Sequence, residues 1–273
     1  MKGLKKVQTQ LLNEKTGEPI EDVNVATDAE CVTYSNDQKM IAAHGGIPAG
    51  TSFNNVPIQQ VLDDILYPYT KPTVSLSADP VGAVREKGKS LTPIVLTANV
   101  GKKSADIKTV EFFKGSEKIG SVDAPKAAGG AETFSYVGPV TADCQLSAKV
   151  TDAKDGVVES NKIAYTFVYP IYIGSVDAAA ATPTAEQVQA MDKRVVVKAS
   201  QQYTYNITDK RMCIACPPGM SLGKILDPNG FDSTAAFTVQ TLAITGLDGT
   251  AQDYTVYVGG VTSQSNYKMS FNI

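Results

Sequence analysis

Ile94-Val95-Leu96-Thr97-Ala98-Asn99-Val100 decides the class of this fold. Ile94, Leu96 and Ala98 fall on one side of an extended chain, and Val95, Thr97 and Asn99 fall on the other. That alternation is the period of a strand with one face buried and one face wet. The same rhythm returns downstream. Val110 and Phe112 alternate with Glu111 and Phe113, and Leu146, Ala148 and Val150 alternate with Ser147 and Lys149.

Working outward, strands are expected at 73–76, 94–100, 107–114, 117–122, 132–137, 145–150 and 162–168, separated by turn residues at near-regular spacing. Asp152-Ala153-Lys154-Asp155-Gly156 forms a loop before the last of them. About 100 residues with this spacing indicate an immunoglobulin-like sandwich. The antibody-type marks are absent: there is no tryptophan, and Cys144 has no cysteine on a second strand to face.

Tyr67-Pro68-Tyr69-Thr70-Lys71-Pro72 precedes the sandwich and Tyr169-Pro170-Ile171-Tyr172 follows it. Proline holds itself and its predecessor extended, so both segments read as short stiff connectors. They divide the chain into an N-terminal attachment and oligomerisation region (1–70), the sandwich (71–170) and a small C-terminal β domain (171–273). Charge shifts at the same places. The three segments carry 5 basic and 9 acidic, 13 and 11, and 7 and 8 residues respectively. The whole is mainly β.

The first segment offers one helix, at 57–66. Ile58, Val61, Leu62, Ile65 and Leu66 form a stripe at helical spacing, while Gln59, Gln60, Asp63 and Asp64 take the other face. Asn54 and Asn55 suit a cap, Pro57 suits a first turn, and Pro68 stops the helix. An amphipathic helix this short must pack to persist, so Ile58, Val61, Leu62 and Ile65, with Tyr67, Tyr69, Tyr169 and Tyr172 at the connectors, are the expected packing and attachment residues. The last segment opens on Thr184-Ala185-Glu186-Gln187, a capping box, with Val188 and Met191 as the apolar side. Strands are expected at 195–199, 203–207, 212–216, 237–244, 253–258 and 267–271, with one helical turn at 222–226. Phe271-Asn272-Ile273 suggests a docked terminal strand.

Composition narrows the function. Apolar residues at 42% and charged residues at 19% provide for real cores. The 22 glycines and 14 prolines lean toward turn-rich β structure. The net charge of −3, with no basic block, argues against nucleic-acid binding. No run approaches the ~20 apolar residues of a membrane span, so membrane insertion is not expected. The basic start at Lys2, Lys5 and Lys6 has no apolar stretch behind it, so no secretion signal is expected. Cys31, Cys144, Cys213 and Cys216 are too few for a disulfide scaffold in a chain of 273 residues, which points to a reducing compartment.

Catalytic patterns fail one by one. Cys213-Ile214-Ala215-Cys216 has redox spacing but continues a strand, where residues three apart point to opposite faces. No second ligand pair exists for zinc. Gly88-Lys89-Ser90 resembles the end of a phosphate loop, but Ala83 occupies the required glycine position and Pro93 follows where a helix is needed. The single histidine, His44, has no nucleophile or partner ligand in its context, and paired carboxylates are lacking. Asp152 and Asp155 match no defined calcium loop. No catalytic residue, metal site or cofactor is expected. Tyr203, Tyr205, Tyr254 and Tyr257 could form a glycan-stacking face, which makes a carbohydrate-binding module the competing reading.

A resemblance adds to this. Gly45-Gly46-Ile47-Pro48-Ala49-Gly50-Thr51-Ser52-Phe53, then Pro57-Ile58-Gln59-Gln60-Val61-Leu62 and Tyr67-Pro68-Tyr69, resembles a segment recurring in structural proteins of tailed bacteriophages. There it leads, as Lys71-Pro72-Thr73-Val74-Ser75-Leu76 does here, into a bacterial-type immunoglobulin-like domain. Ile225-Leu226-Asp227-Pro228-Asn229-Gly230-Phe231, Ile244-Thr245-Gly246-Leu247-Asp248-Gly249-Thr250 and Tyr254-Thr255-Val256-Tyr257-Val258 are similar to the closing domain of phage fibre and appendage proteins. The resemblance implies a non-enzymatic virion protein, a head or tail fibre, appendage or decoration subunit assembled in the host bacterial cytoplasm. Its implied partners are copies of itself, with a trimer favoured, and neighbouring capsid or tail proteins; host-surface glycan is a partner under the competing reading alone.

Overall fold

A computed structural model describes residues 7–12, 16, 19–25, 39–44, 47–197, 202–227 and 229–270. The expected docked end at Phe271-Asn272-Ile273 lies outside them, as do Cys31, Gly45, Gly46 and the side chain of Tyr203. The chain is mainly β and divides into two compact units, Met1–Lys71 and Pro72–Ile273.

In the first unit, β1 (Val7–Leu12) and β2 (Pro19–Val25) pair as an antiparallel hairpin. Short bridges join Lys39 to Ser52 and His44 to Ile47, and Ile47 is buried. Helix α1 (Ile58–Leu66) is where the sequence places it, but its start differs. Pro57 is the N-cap and no side chain caps the helix; Asn55 instead takes a left-handed conformation (φ 59°) in the preceding turn, which asparagine tolerates well. A second difference bears on function. No residue of α1 is buried, and Leu62 is 48% exposed, so the stripe is not a closed core.

The second unit begins with the sandwich. Strands β3 (Thr73–Asp79), β5 (Ile94–Gly101) and β8 (Gly129–Tyr136) form one antiparallel sheet with β5 in the middle. The other contains, in spatial order, β4 (Val84–Glu86), β11 (Ile163–Val168), β9 (Cys144–Asp152), β6 (Ile107–Lys114) and β7 (Glu117–Val122), with β10 (Val157–Glu159) also on β9. Their inner faces meet as the alternation demands: Ile94, Leu96, Ala98, Val110, Phe112, Leu146, Ala148 and Val150 lie in one core. Ser147 was expected on the wet face and is nevertheless buried. It is a short side chain on a central strand, directly opposite Phe113. The β4–β11 pair is parallel; every other pairing in the sandwich is antiparallel.

The last part of the chain forms a sheet in the order β13 (Asp192–Arg194), β12 (Ile171–Asp177), β14 (Gln202–Cys216), β17 (Ala251–Ser270), β15 (Lys224–Leu226), with β16 (Thr238–Thr245) also on β17. Both faces of its centre are covered. Ile171, Ile173, Met212, Ile214 and Cys216 serve one core, and Tyr172, Val176, Cys213, Ala215, Tyr254 and Val256 serve the other. A strand buried on both sides reads as an unbroken apolar run, which is how Met212 to Cys216 reads. Helix α2 (Ala185–Gln189) carries the expected capping box: Thr184 Oγ1 accepts from Gln187 N, Gln187 Oε1 accepts from Thr184 N, and Val188 is buried.

Three expectations need correction here. The strand expected at 195–199 is absent over 195–197, and 198–199 lie outside the described residues; the strand found is β13, because it is Asp192–Arg194 that finds a partner in Ile171–Ile173. The helical turn expected at 222–226 is strand β15; Gly223 weakens so short a helix, and Ile225 alternates inward between Lys224 and Leu226. Finally, 203–207 and 212–216 are one strand, and 253–258 and 267–270 another. The pairing absorbs the polar break at Asn206–Asp209 through register shifts, with Asp209 in a left-handed conformation (φ 49°) and its N–H donated to Ser263 Oγ at 2.9 Å.

Candidate functional site

The four tyrosines proposed as a stacking face do not share one. Tyr254 is fully buried, and its hydroxyl donates to the carbonyl of Pro170 at 3.1 Å. Burial moves its phenol well above the ordinary range, with the neighbouring Tyr172 adding to the effect. Tyr257, three residues on, faces the opposite core, and Tyr205 is half-buried against that same core while donating to Asp192 Oδ2 at 3.2 Å. An odd spacing within one strand cannot put two rings on one face. Tyr203 sits opposite Met269 in the ladder. The glycan-stacking face expected of Tyr203, Tyr205, Tyr254 and Tyr257 as a set is therefore withdrawn.

The cysteines follow the same geometry. Cys213 and Cys216 lie in different cores on opposite faces of β14, and burial pushes both thiols up to about 12. Cys144 is half-buried, and burial raises its thiol as well. Asp152 is occupied within its own loop: its Oδ1 accepts from Lys154 N at 2.9 Å and Gly156 N at 2.8 Å. Asp155, left-handed at φ 59°, pairs with Lys108 at 2.8 Å. His44 is exposed in its turn. Among the described residues, no group of three or more His, Cys, Asp or Glu side chains is placed to hold a metal ion. One concavity of about 390 Å³ lies in the sandwich beside Gly115, Asp143, Cys144 and Tyr165. Its Asp143 carboxylate is engaged with the N–H of Phe167 at 2.7 Å.

What the structure does assemble lies around two of the connector tyrosines. Tyr169 and Tyr172 bracket the passage from β11 to β12. The Tyr169 hydroxyl donates to Asp248 Oδ2 at 2.8 Å, and the Lys87 ammonium lies 4.9 Å from the centre of its ring. Tyr172 is buried, 5.8 Å from the Tyr254 ring, with Lys193 Nζ 6.0 Å from its own. Lys193 also donates to Glu86 Oε1 at 2.7 Å, and Glu86 is only 5% exposed. The other connector differs: Tyr67 is largely exposed and Tyr69 half-buried.

Glu86, Gly88, Lys193 and Asp248 carry no sequence signal for this role. Glu86 and Lys193 are 107 residues apart, and Gly88 reads only as a failed phosphate loop. Gly246-Leu247-Asp248-Gly249 forms a turn, with Gly249 N donating to Gly246 O at 3.0 Å. Neither turn announces its partner. No known family, characterised protein or solved structure matches the chain.

Proposed function

We propose that this chain is a non-enzymatic structural subunit of a tailed-bacteriophage particle, a fibre, appendage or decoration protein that attaches through residues 1–70 and projects or bridges with its β domains. The observation that carries the reading is the succession in the N-terminal segment: the Ile47-to-Phe53 turn, the Pro57 helix and Tyr67-Pro68-Tyr69, leading directly into a two-sheet sandwich. The short helix with a half-exposed apolar stripe supports it, since such a face is suited to a neighbouring subunit. So does the allocation of polar groups. The buried Glu86, Glu132 and Asp152 are all engaged in structural hydrogen bonds, with Lys193 Nζ, Lys126 N and the Gly156 N–H respectively. The subunit self-associates, with a trimer favoured, and its partners are capsid or tail proteins.

The test is peptide mass spectrometry of density-purified particles from cells carrying the gene, followed by a map of the particle. Peptides of the chain in constant stoichiometry to the major capsid protein, and density accepting residues 72–273, are expected. A chain confined to the soluble fraction of the lysate would end the proposal.

A further inference from the structure

We infer that the joint between the sandwich and the C-terminal β domain is a lock rather than a hinge, so that residues 72–273 turn in solution as one rigid body. Covalently, β11 ends at Val168 and β12 begins at Ile171, leaving only Tyr169-Pro170 between them. A two-residue connector containing proline has little torsional freedom. Domains joined by so little chain can still rock, because movement is the default where an interface is modest. Three contacts, each from a different element, remove that freedom.

The first is a seat for backbone on backbone. After β4 the chain turns through Glu86-Lys87-Gly88-Lys89, closed by Lys89 N donating to Glu86 O at 3.1 Å. Gly88, at φ +94°, lies flat on the turn between β16 and β17. A Cβ there would stand 2.5 Å from the carbonyl carbon of Leu247 and would strike Asp248 N. Only glycine satisfies both the conformation and the clearance. The same turn receives Tyr169 from the other side: a Cβ on Gly246 would come within 2.8 Å of the Tyr169 ring, and the hydroxyl of that ring is held by Asp248.

The second contact is the buried carboxylate. Glu86 ends β4 of the sandwich, and Lys193 belongs to β13 of the other domain. Their 2.7 Å bond crosses the joint. Among the described residues, separating the domains would leave Glu86 with Lys89, 3.8 Å away, as its one ion-pair partner. The charge-assisted bond to Lys193 is lost when the domains part, and water must take its place. The third is Tyr254 of β17, whose hydroxyl grips the Pro170 carbonyl of the connector itself. β13, the 246–249 turn and β17 thus each hold the connector or the β4 turn, and contacts from three separate elements restrict the orientation more than any one of them could. The lock holds whatever particle or surface the protein serves.

Residual dipolar couplings measured on the full chain in solution test this directly. Amides of the sandwich and of the C-terminal domain should fit one common alignment tensor. Gly88→Val, which unseats the turn, should lose that common tensor and give two, while the dispersed amide spectrum of each domain shows that both remain folded. Where Gly88→Val fails to fold, Glu86→Gln combined with Tyr169→Phe removes the charged and hydroxyl contacts without adding bulk, and should also split the tensor. Two tensors in the wild-type chain, or one tensor persisting in the folded variants, would overturn the inference.

Discussion

Cys213 and Cys216 show what residue-level reasoning delivers. The parity of a strand alone separates their sulfurs, and the two cores that receive them follow from that parity. The thiolate is the reactive form, and with the thiols held near 12 only about one in ten thousand is ionised at pH 8. Peptide-resolved alkylation should therefore leave both unlabelled in the native protein and label both in denaturant, with Cys144 reacting ahead of them. Native labelling of either would contradict the burial. Asp248 supplies a second expectation. The Tyr169 hydroxyl that donates to it holds its carboxyl below the ordinary range, while partial desolvation, then the same hydrogen bond, raise Tyr169. The carboxylate's contribution is thus complete above its unfolded value of ~3.9 and is lost as pH falls through the folded one; that of the phenol is complete below ~10 and is lost as pH rises. Asp248→Asn should be less thermostable than wild type at neutral pH, and the gap should close on acidification. A gap unchanged down the acid limb would mean the contact carries no charge. Tyr254 marks the limit of such reading, because a tyrosine alternating within a strand is equally a platform or a core residue until its neighbours are known.

At the scale of elements, the sandwich strands were legible because one face is dry and the other wet. Phe112 is wholly buried and stacks on Phe134 at 5.3 Å, so Phe112→Ala should cost about 3–5 kcal/mol, read from the denaturant midpoint. A much smaller loss would show that the core collapses around the gap. Gly120 adds a constraint that no periodicity reveals: a Cβ there would run into the Phe134 ring, so this strand position is reserved for want of space. The long strands were not legible as units. Asn206, Thr208 and Asp209 look like a loop, and it takes the facing Ser263 and the register shifts to carry the strand through them. Helix α1 was legible in type and extent, yet periodicity could not say how far its stripe is covered. With Leu62 half-exposed, Leu62→Asp should change the stability of the purified chain by about 0.5 kcal/mol or less. Under the virion proposal the same variant should fail to enter particles. A fall of several kcal/mol in the isolated protein would instead make the stripe core.

For the whole molecule, the first proline-aromatic connector, 67–72, falls at the boundary between the two compact units, but what holds the sandwich and the last sheet together was not legible, since its parts come from four distant places in the chain. The proposed self-association belongs to this scale too. Light scattering or native mass spectrometry should find a trimer, or a monomer–trimer equilibrium that moves with concentration. A strict monomer at high concentration, occupying isolated positions on particles, would remove the claim. The parallel pairing of β4 with β11 has a temporal consequence. Thr166, Phe167 and Val168 are the partners of Val84, Arg85 and Glu86, so β4 waits for some eighty further residues to be synthesised before it has a neighbour. During translation the sandwich closes only when β11 emerges, and closing it is what shapes the turn bearing Gly88. The last domain, still to come, then folds onto a finished surface. Nascent chains stalled far enough beyond Val168 for β11 to have left the ribosome would present that turn already set, and the protein is built in the order in which it is made.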